Sequence, residues 1–344
     1  MPDNFEKIQD AIDAAQEGDI VTIREGRYKE NLNFNGKRIT IQSDFAGDVP
    51  NVSEIAATVV DGTGIPAVVK IGSGARIIGL SISGGRLGPG IRCEGGTIEF
   101  CHVYDNIVPG DSHGGGIQAE HNSIIRNSMI FGNSSRHGSG IATARDVLVE
   151  NCNIFENTTF EGAGQVLCWG GGESRFFGCE ISQMGNSEII EVRSGSRLEM
   201  EDCLIEGNGL FTPFVIWESG MIELAHCTIV NPSQRRIVLA SRDAFFTGSE
   251  TMKFSNCIIY GYRVDRVFIE EFVGSMAYPY GDDLTLLPSG LAVADPRFND
   301  IENGDYSLTD GSAAIGASDI SLPSLPSSQH AAVPSDSVPD LGLK

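Results

Sequence analysis

Lysine is nearly missing from this chain. Of the 24 basic residues in 344, only six are lysine, and none lies between Lys70 and Lys253. That gap excludes a lysine base from the middle of the protein. Acidic residues number 46, for a net charge of −22 and a pI near 4.5. With no basic stripe to neutralise phosphates, nucleic acid is excluded as a partner. Charge of both signs amounts to only 20%, and hydrophobic residues to 41%, so the chain is not of the disordered class. No apolar run is long enough to span a bilayer. No CxxC pair argues for zinc. The opening MPDNFEKIQDAIDAAQEGD lacks the charged and apolar regions of a signal peptide. The sequence therefore points to a protein kept inside the cell or to one whose leader is missing, and it leaves compartment and oligomeric state open.

What is present is glycine, at 42 positions, and a repeat. Eight segments carry an apolar residue, two variable residues, a small or sulfur residue, one variable residue and a second apolar residue. They are IIGLSI, IEFCHV, IRNSMI, VENCNI, FFGCEI, MEDCLI, LAHCTI and FSNCII, and their fourth positions are Leu80, Cys101, Ser128, Cys152, Cys179, Cys203, Cys227 and Cys257. The steps between them, 21 to 30 residues, mark a solenoid. Period-two alternation with Gly- and Asn-rich flanks makes each repeat a set of short strands, and no helical repeat of 3.6 spacing is present in the body of the chain. Asn127, Asn151 and Asn256 precede the repeated position, where a left-handed bend suits Asn. A second Asn recurs at Asn106, Asn133, Asn157 and Asn208. A third strand follows each glycine cluster, in GPGIRC, GGGIQA, GSGIAT and AGQVLC. The expectation is an all-β, right-handed parallel β-helix with three strands per coil and about 8–10 coils, stacked about 4.8 Å apart.

Six of the eight cysteines fall on the repeated inward position, and Cys93 and Cys168 fall on the inward face of the third strand. They read as small buried hydrophobes, with stacked Cβ vectors poorly aimed for disulfides. Residues 4–17 place Phe5, Ile8, Ile12 and Ala15 on one helical face, with Asp3 or Asn4 as the start cap and Gly18 as the end cap. Such a helix covers the open end of a stacked core. We expect one domain over 1–320, with regular repeats at 77–259 and irregular coils at 260–320, followed by a Pro- and Ser-rich tail at 321–344.

These residues carry a resemblance. The opening IQDAIDAAQEGDIVTIREGRYKENLNFNGKRITIQS resembles that of many pectin-lyase-like β-helix proteins. NCNIFEN with the GGGI-type turns resembles the generic β-helix repeat of bacterial multi-repeat proteins. The late ADPRFNDIENGDYSLTDGSAAIGASD, closing on PDLG, resembles the C-terminal end of the same group. The resemblance implies the fold over nearly the whole chain, and a secreted or cell-surface place if a leader was removed. It leaves activity open, since the superfamily hosts lyases, glycosidases, epimerases and adhesins. The polygalacturonase-type motif set is not met: Asp282-Asp283 and His137-Gly138 stand without NTD or RIK. Of the DPHD signature of alginate epimerases, only Asp111 and His113 remain.

Aligning the third strands by their inward pairs (Ile91/Cys93, Ile117/Ala119, Ile141/Thr143, Val166/Cys168) gives an outward row Glu94, Glu120, Ala144, Trp169, continuing to Arg193 and Glu218. A second outward row reads Arg92, Gln118, Ala142. His113 and His137 lie four residues before the inward Ile of their coils, 24 apart, and pair in the turn above the strand; Glu161 falls one position off that phase. Trp169 offers a flat platform to a sugar, Arg92 and Arg193 fork to uronate carboxylates, and His113, His137 and Glu120 supply proton transfer. Glu218 extends the substrate-binding row. Glu94 and Glu120 either repel or share a cation such as Ca²⁺, with Asp111 as a further oxygen ligand. Two functions follow. One is a lyase or hydrolase acting on an acidic polysaccharide in a groove over 92–218. The other is a non-catalytic module that binds glycans or surfaces.

Overall fold

Alternating apolar residues require each strand to bury one face, and stacking the coils is what buries it. A computed structural model of the chain describes residues 5–45, 50–62, 67–160, 164–183, 187–207, 212–233, 239–242, 251–264, 269–278 and 291–314. Its strands form three long parallel sheets, visited in turn by each coil. The first has 11 strands, the second 12 and the third 9. The all-β right-handed parallel β-helix with three strands per coil is thus the observed architecture. Register holds from coil to coil, as in Ile98↔Ile125↔Val149↔Phe176↔Met200 along the first sheet. These inward side chains form one continuous core. Pairing begins at Ile20–Ile23 with Thr40–Ser43, well before the repeat becomes legible at 77. The early coils escape the pattern because a helix, α2 (Val52–Ala57), interrupts one of them. Asn51 and Glu54 give α2 a reciprocal capping box.

The corner between the first and second sheets is one left-handed residue. Asn127, Asn151 and Asn256 adopt it with φ of 51°, 50° and 55°. Phe100, Asp202 and His226 hold the same conformation at φ 50–55°, without the amide that makes Asn suited to it. The next side chain, Leu80, Ser128 or one of six cysteines, points inward and is at most 2% exposed. All eight cysteines are buried free thiols. Those at the corner donate S–H to the carbonyl two residues earlier, at 3.2 Å for Cys101 and Cys227 and 3.5 Å for Cys179.

The second recurring Asn forms a column. Asn106 Nδ2 donates to Asn133 Oδ1 at 2.9 Å, Asn133 Nδ2 to Asn157 Oδ1 at 3.0 Å, and Asn157 Nδ2 to Gln165 Oε1 at 3.1 Å. Each amide also reaches back to a carbonyl of the coil before, so three buried side chains tie successive turns.

The N-terminal helix α1 spans Ile8–Ala14 and covers the core with Ile8, Ala11 and Ile12, flanked by Phe5 and Ala15. It starts after the expected cap residues, and the end cap is Ala15 rather than Gly18. Both ends are instead held by charged side chains of the first coil. Glu30 accepts the N–H groups of Ile8 and Gln9 at 3.0 Å each, and Lys37 Nζ donates to the carbonyls of Ile12, Asp13 and Ala15 at 2.6–2.9 Å. A carboxylate at the helix start and an ammonium at its end also match the helix dipole. Toward the other end, an antiparallel hairpin (Phe298–Asp300 with Asp305–Leu308) packs Phe298 and Tyr306 on the outer face of the second sheet, over Leu204, Val230, Ile258 and Tyr260. Asp3, Asn4, Glu161, Asn208, Asp282, Asp283 and the tail at 321–344 lie outside the described residues.

Candidate functional site

The outer face of the third sheet carries two rows, set by strand register. One row reads Lys70, Arg92, Gln118, Ala142, Leu167, Glu191, Val215. The other begins Glu94, Glu120, Ala144 and continues through the residues that follow Cys168, Val192 and Ile216, namely Trp169, Arg193 and Trp217. Their main-chain N–H groups donate to Thr143, Cys168 and Val192, which fixes the phase. Glu218 therefore does not continue this row. It is the left-handed corner residue after it (φ 46°), equivalent to Ser194 (φ 58°), whose hydroxyl donates to the Glu218 carboxylate at 2.9 Å.

Small side chains at Ala142 and Ala144, 0% and 3% exposed, let the glycine-rich turns close directly over them. Gly138 comes so close that a Cβ there would meet Leu167 Cβ at 2.9 Å and Ala142 Cβ at 3.1 Å. The turns pair as expected: His113 and His137 form a parallel bridge, with ring centroids 5.5 Å apart and planes tilted by 56°. Trp169 packs against His113 with centroids 4.8 Å apart. From two and three coils further on, Glu191 and Arg193 reach back into the same cluster. His137 Nδ1 lies 3.0 Å from Glu191 Oε2, and Arg193 Nη2 lies 2.7 Å from His113 Nε2. Arg193 Nη1 stands 3.6 Å from Glu191 Oε1, and the Glu191 side chain is only 4% exposed.

These contacts assign the protons. A guanidinium has no acceptor, so His113 Nε2 carries the lone pair and Nδ1 the hydrogen. Burial, with Arg193 and His137 adding to it, pushes His113 down to about 4, against a smaller opposing pull from Glu191. His113 is thus neutral near pH 7 and acts as a hydrogen-bond donor through Nδ1. A carboxylate only accepts, so His137 donates Nδ1–H to Glu191, and its Nε2 is left to take a proton. Two histidines equivalent by sequence thereby face opposite partners, His113 a guanidinium and His137 a carboxylate. Glu188, two residues ahead of the strand Ile190–Val192, has its carboxyl pushed up by burial and by Glu191, and its Oε2 is buried without a partner among the described residues.

Other expected residues stand apart from this cluster. Glu94 faces Lys70 Nζ at 3.7 Å and Arg92 Nε at 4.0 Å. Arg92 also donates to Gln118, whose amide donates to Glu120 at 3.2 Å. Glu120 has Arg145 at 3.7 Å and His121 at 3.6 Å. Asp111 pairs with Arg136. Among the described residues, no group of three or more His, Cys, Asp or Glu is placed to hold a metal ion. Glu191, Glu188 and Trp217 were missed from sequence. Carrying the Arg92, Gln118, Ala142 row on by one coil length at a time reaches Glu191, and the same step from Arg193 reaches Trp217.

No family model matches the chain, and no curated protein sequence does. Among solved structures, pectate lyase Pel9A superposes with a TM-score of 0.54 at 12% identity, over 89% of this chain and 84% of its own. The pectin methylesterase of Aspergillus niger gives 0.49 at 12% identity, over 72% and 86%. The mannuronan C-5 epimerase AlgE6 A-module of Azotobacter vinelandii gives 0.41 at 13% identity, over 84% and 93%. At these identities the likeness is one of fold, the pectin-lyase-like right-handed β-helix, and only the first superposition is close enough to carry it.

Proposed function

We propose that this chain is a carbohydrate-active β-helix that cleaves an acidic polysaccharide on the outer face of the third sheet, with His137 as the proton-transferring residue. The observation that carries this reading is the His137–Glu191 pair. A buried carboxylate fixing one imidazole nitrogen and leaving the other free is what a general base requires. Around it stand a guanidinium, Arg193, to offset a uronate carboxylate, a neutral N–H donor, His113, and a flat apolar ring, Trp169.

A single base beside a cation favours a lyase over a hydrolase. His137 Nε2 would take the proton on the carbon next to the uronate carboxylate, and Arg193 would stabilise the charge that develops there. The carbon–carbon double bond forms as the glycosidic carbon–oxygen bond breaks, and the leaving sugar oxygen takes up a proton. Purified protein is to be incubated with uronate and neutral polysaccharides, with Ca²⁺ and with EDTA, following ultraviolet absorbance of an unsaturated product and reducing ends together. The expected outcome is both signals on a uronate polymer, both lost in His137→Gln, with at least a hundredfold drop. Reducing ends without absorbance would turn the assignment to a hydrolase, with Glu188 and Glu191 as the carboxyl pair. Turnover that survives His137→Gln would overturn it.

A further inference from the structure

A groove of about 590 Å³ runs along the outer face of the first sheet, across five strands from Val147–Glu150 to Thr251–Ser255. That volume is within the range of small-molecule sites, about 300–1,000 Å³. Strand register sets its floor. One row reads Glu150, Phe177, Glu201, Ala225, Ser255, and the row beside it holds Arg175, Glu199, Glu223 and Lys253. Phe177 is 42% exposed on a strand paired along both edges, so coil stacking does not cover its ring. Outward rings of the second sheet cover one another, as Phe131 and Phe155 do at 5.1 Å. Phe177 instead has the carboxylates of Glu150 and Glu201 on the adjacent rungs. Glu201 is 55% exposed, with the His226 ring 3.8 Å away, and Arg175 is 61% exposed, with Glu173 at 3.4 Å. The lining therefore offers donors, acceptors and an apolar ring, with four carboxylates and two cations. Charge of both signs penalises a polymer of either sign: a polyuronate would face Glu199, Glu201 and Glu223, and a polycation Arg175 and Lys253. A sugar hydroxyl both donates and accepts, so it meets either kind of group without a charge to offset.

We propose that this groove binds a neutral glycan chain, with Phe177 under one sugar ring and Arg175, Glu150 and Glu201 bonding to its hydroxyls. The site goes beyond the reading given above and does not depend on it, because no residue of the third sheet takes part. It would hold the protein on a neutral polymer while the third sheet works on a charged one.

The test separates ring contact from charge. Affinities of the full chain for xylan, galactan and glucan hexasaccharides are measured by calorimetry at low and at high salt. At least one should bind, equally well at both, since a neutral ligand leaves little to screen. Phe177→Ala should weaken that affinity about tenfold. Phe177→Leu, which keeps the apolar bulk without the flat ring, should fall between, and unfolding midpoints control for folding. Glu201→Gln keeps an acceptor and removes the charge, so it should change the affinity by less than about threefold. Silence of all three sugars, or an affinity that neither Phe177 variant alters, would overturn the site. So would binding that high salt or Glu201→Gln abolishes, which is the behaviour of a site for a cation. If a neutral sugar binds through Phe177 while no uronate polymer is cleaved, the third-sheet reading fails and the groove stands. If uronate is cleaved and no neutral sugar binds, the reverse holds.

Discussion

A histidine is a proton switch only where its surroundings leave it one. His113 and His137 share a position in the repeat, yet Arg193 takes up one imidazole and Glu191 the other. His102 shows the same principle away from the site. It lies on the outer face of the second sheet, 7% exposed, and burial lowers it to about 4. Its folded value is below the unfolded 6.5, so the unfolded chain binds the proton first as the pH falls. The stability it contributes is complete above about pH 6.5 and is lost between there and about pH 4. The full shift amounts to about 3 kcal/mol. The His102→Gln protein should therefore lose about 2–3 kcal/mol less than wild type when urea unfolding at pH 4 is compared with that at pH 7. Parallel pH dependence in the two proteins would refute this. At this scale the sequence was legible in part. His113, His137, Trp169 and Arg193 were read as one face because strand phase puts them there. Glu191 was not, because it lies two rungs beyond Ala142 in its row and its contact with His137 spans 54 residues, a separation that reading adjacent rungs does not reach.

At the scale of the element, the Asn column and the cysteine column serve the same coils by different means. The Asn133 side chain takes part in five hydrogen bonds at 1% exposure, to Asn106 N–H, Asn106 Nδ2, Val103 O, Phe131 O and Asn157 Oδ1. Truncation to Ala strands several buried partners at once, so Asn133→Ala should cost about 3 kcal/mol in chemical denaturation. A cost below about 1 kcal/mol would mean that water replaces the column. The cysteines sit among apolar neighbours, and burial pushes Cys93 and Cys168 up to about 11. A thiol-reactive probe at neutral pH should find none of the eight in the native protein and all eight after denaturation. Any fast-reacting native thiol would contradict their uniform burial. Both columns were legible because a residue that recurs once per coil must stack. The capping of α1 by Glu30 and Lys37 was not, because the partners come from another coil, some twenty residues away.

For the whole molecule, topology followed from the repeat wherever the coil length stayed regular. It failed to predict the early start at Ile20 and the two elements, α2 and the C-terminal hairpin, that cover parts of the second sheet. Neither element carries the repeat, and each owes its place to apolar surface that stacking leaves uncovered. A solenoid has only nearest-neighbour contacts along its length, so its coils are free to loosen singly. Three contacts at the candidate site skip a coil, one of them His113 against Trp169. His137 and Glu191 are 54 residues apart, and His113 and Arg193 are 80 apart, so these pairs bridge two and three coils. An axial strain that shifts one coil slightly is summed over every coil between the partners. The two histidines are thus aligned like a sight across several stacked plates, and a slip of any one of them puts them out of true while the plates themselves remain folded.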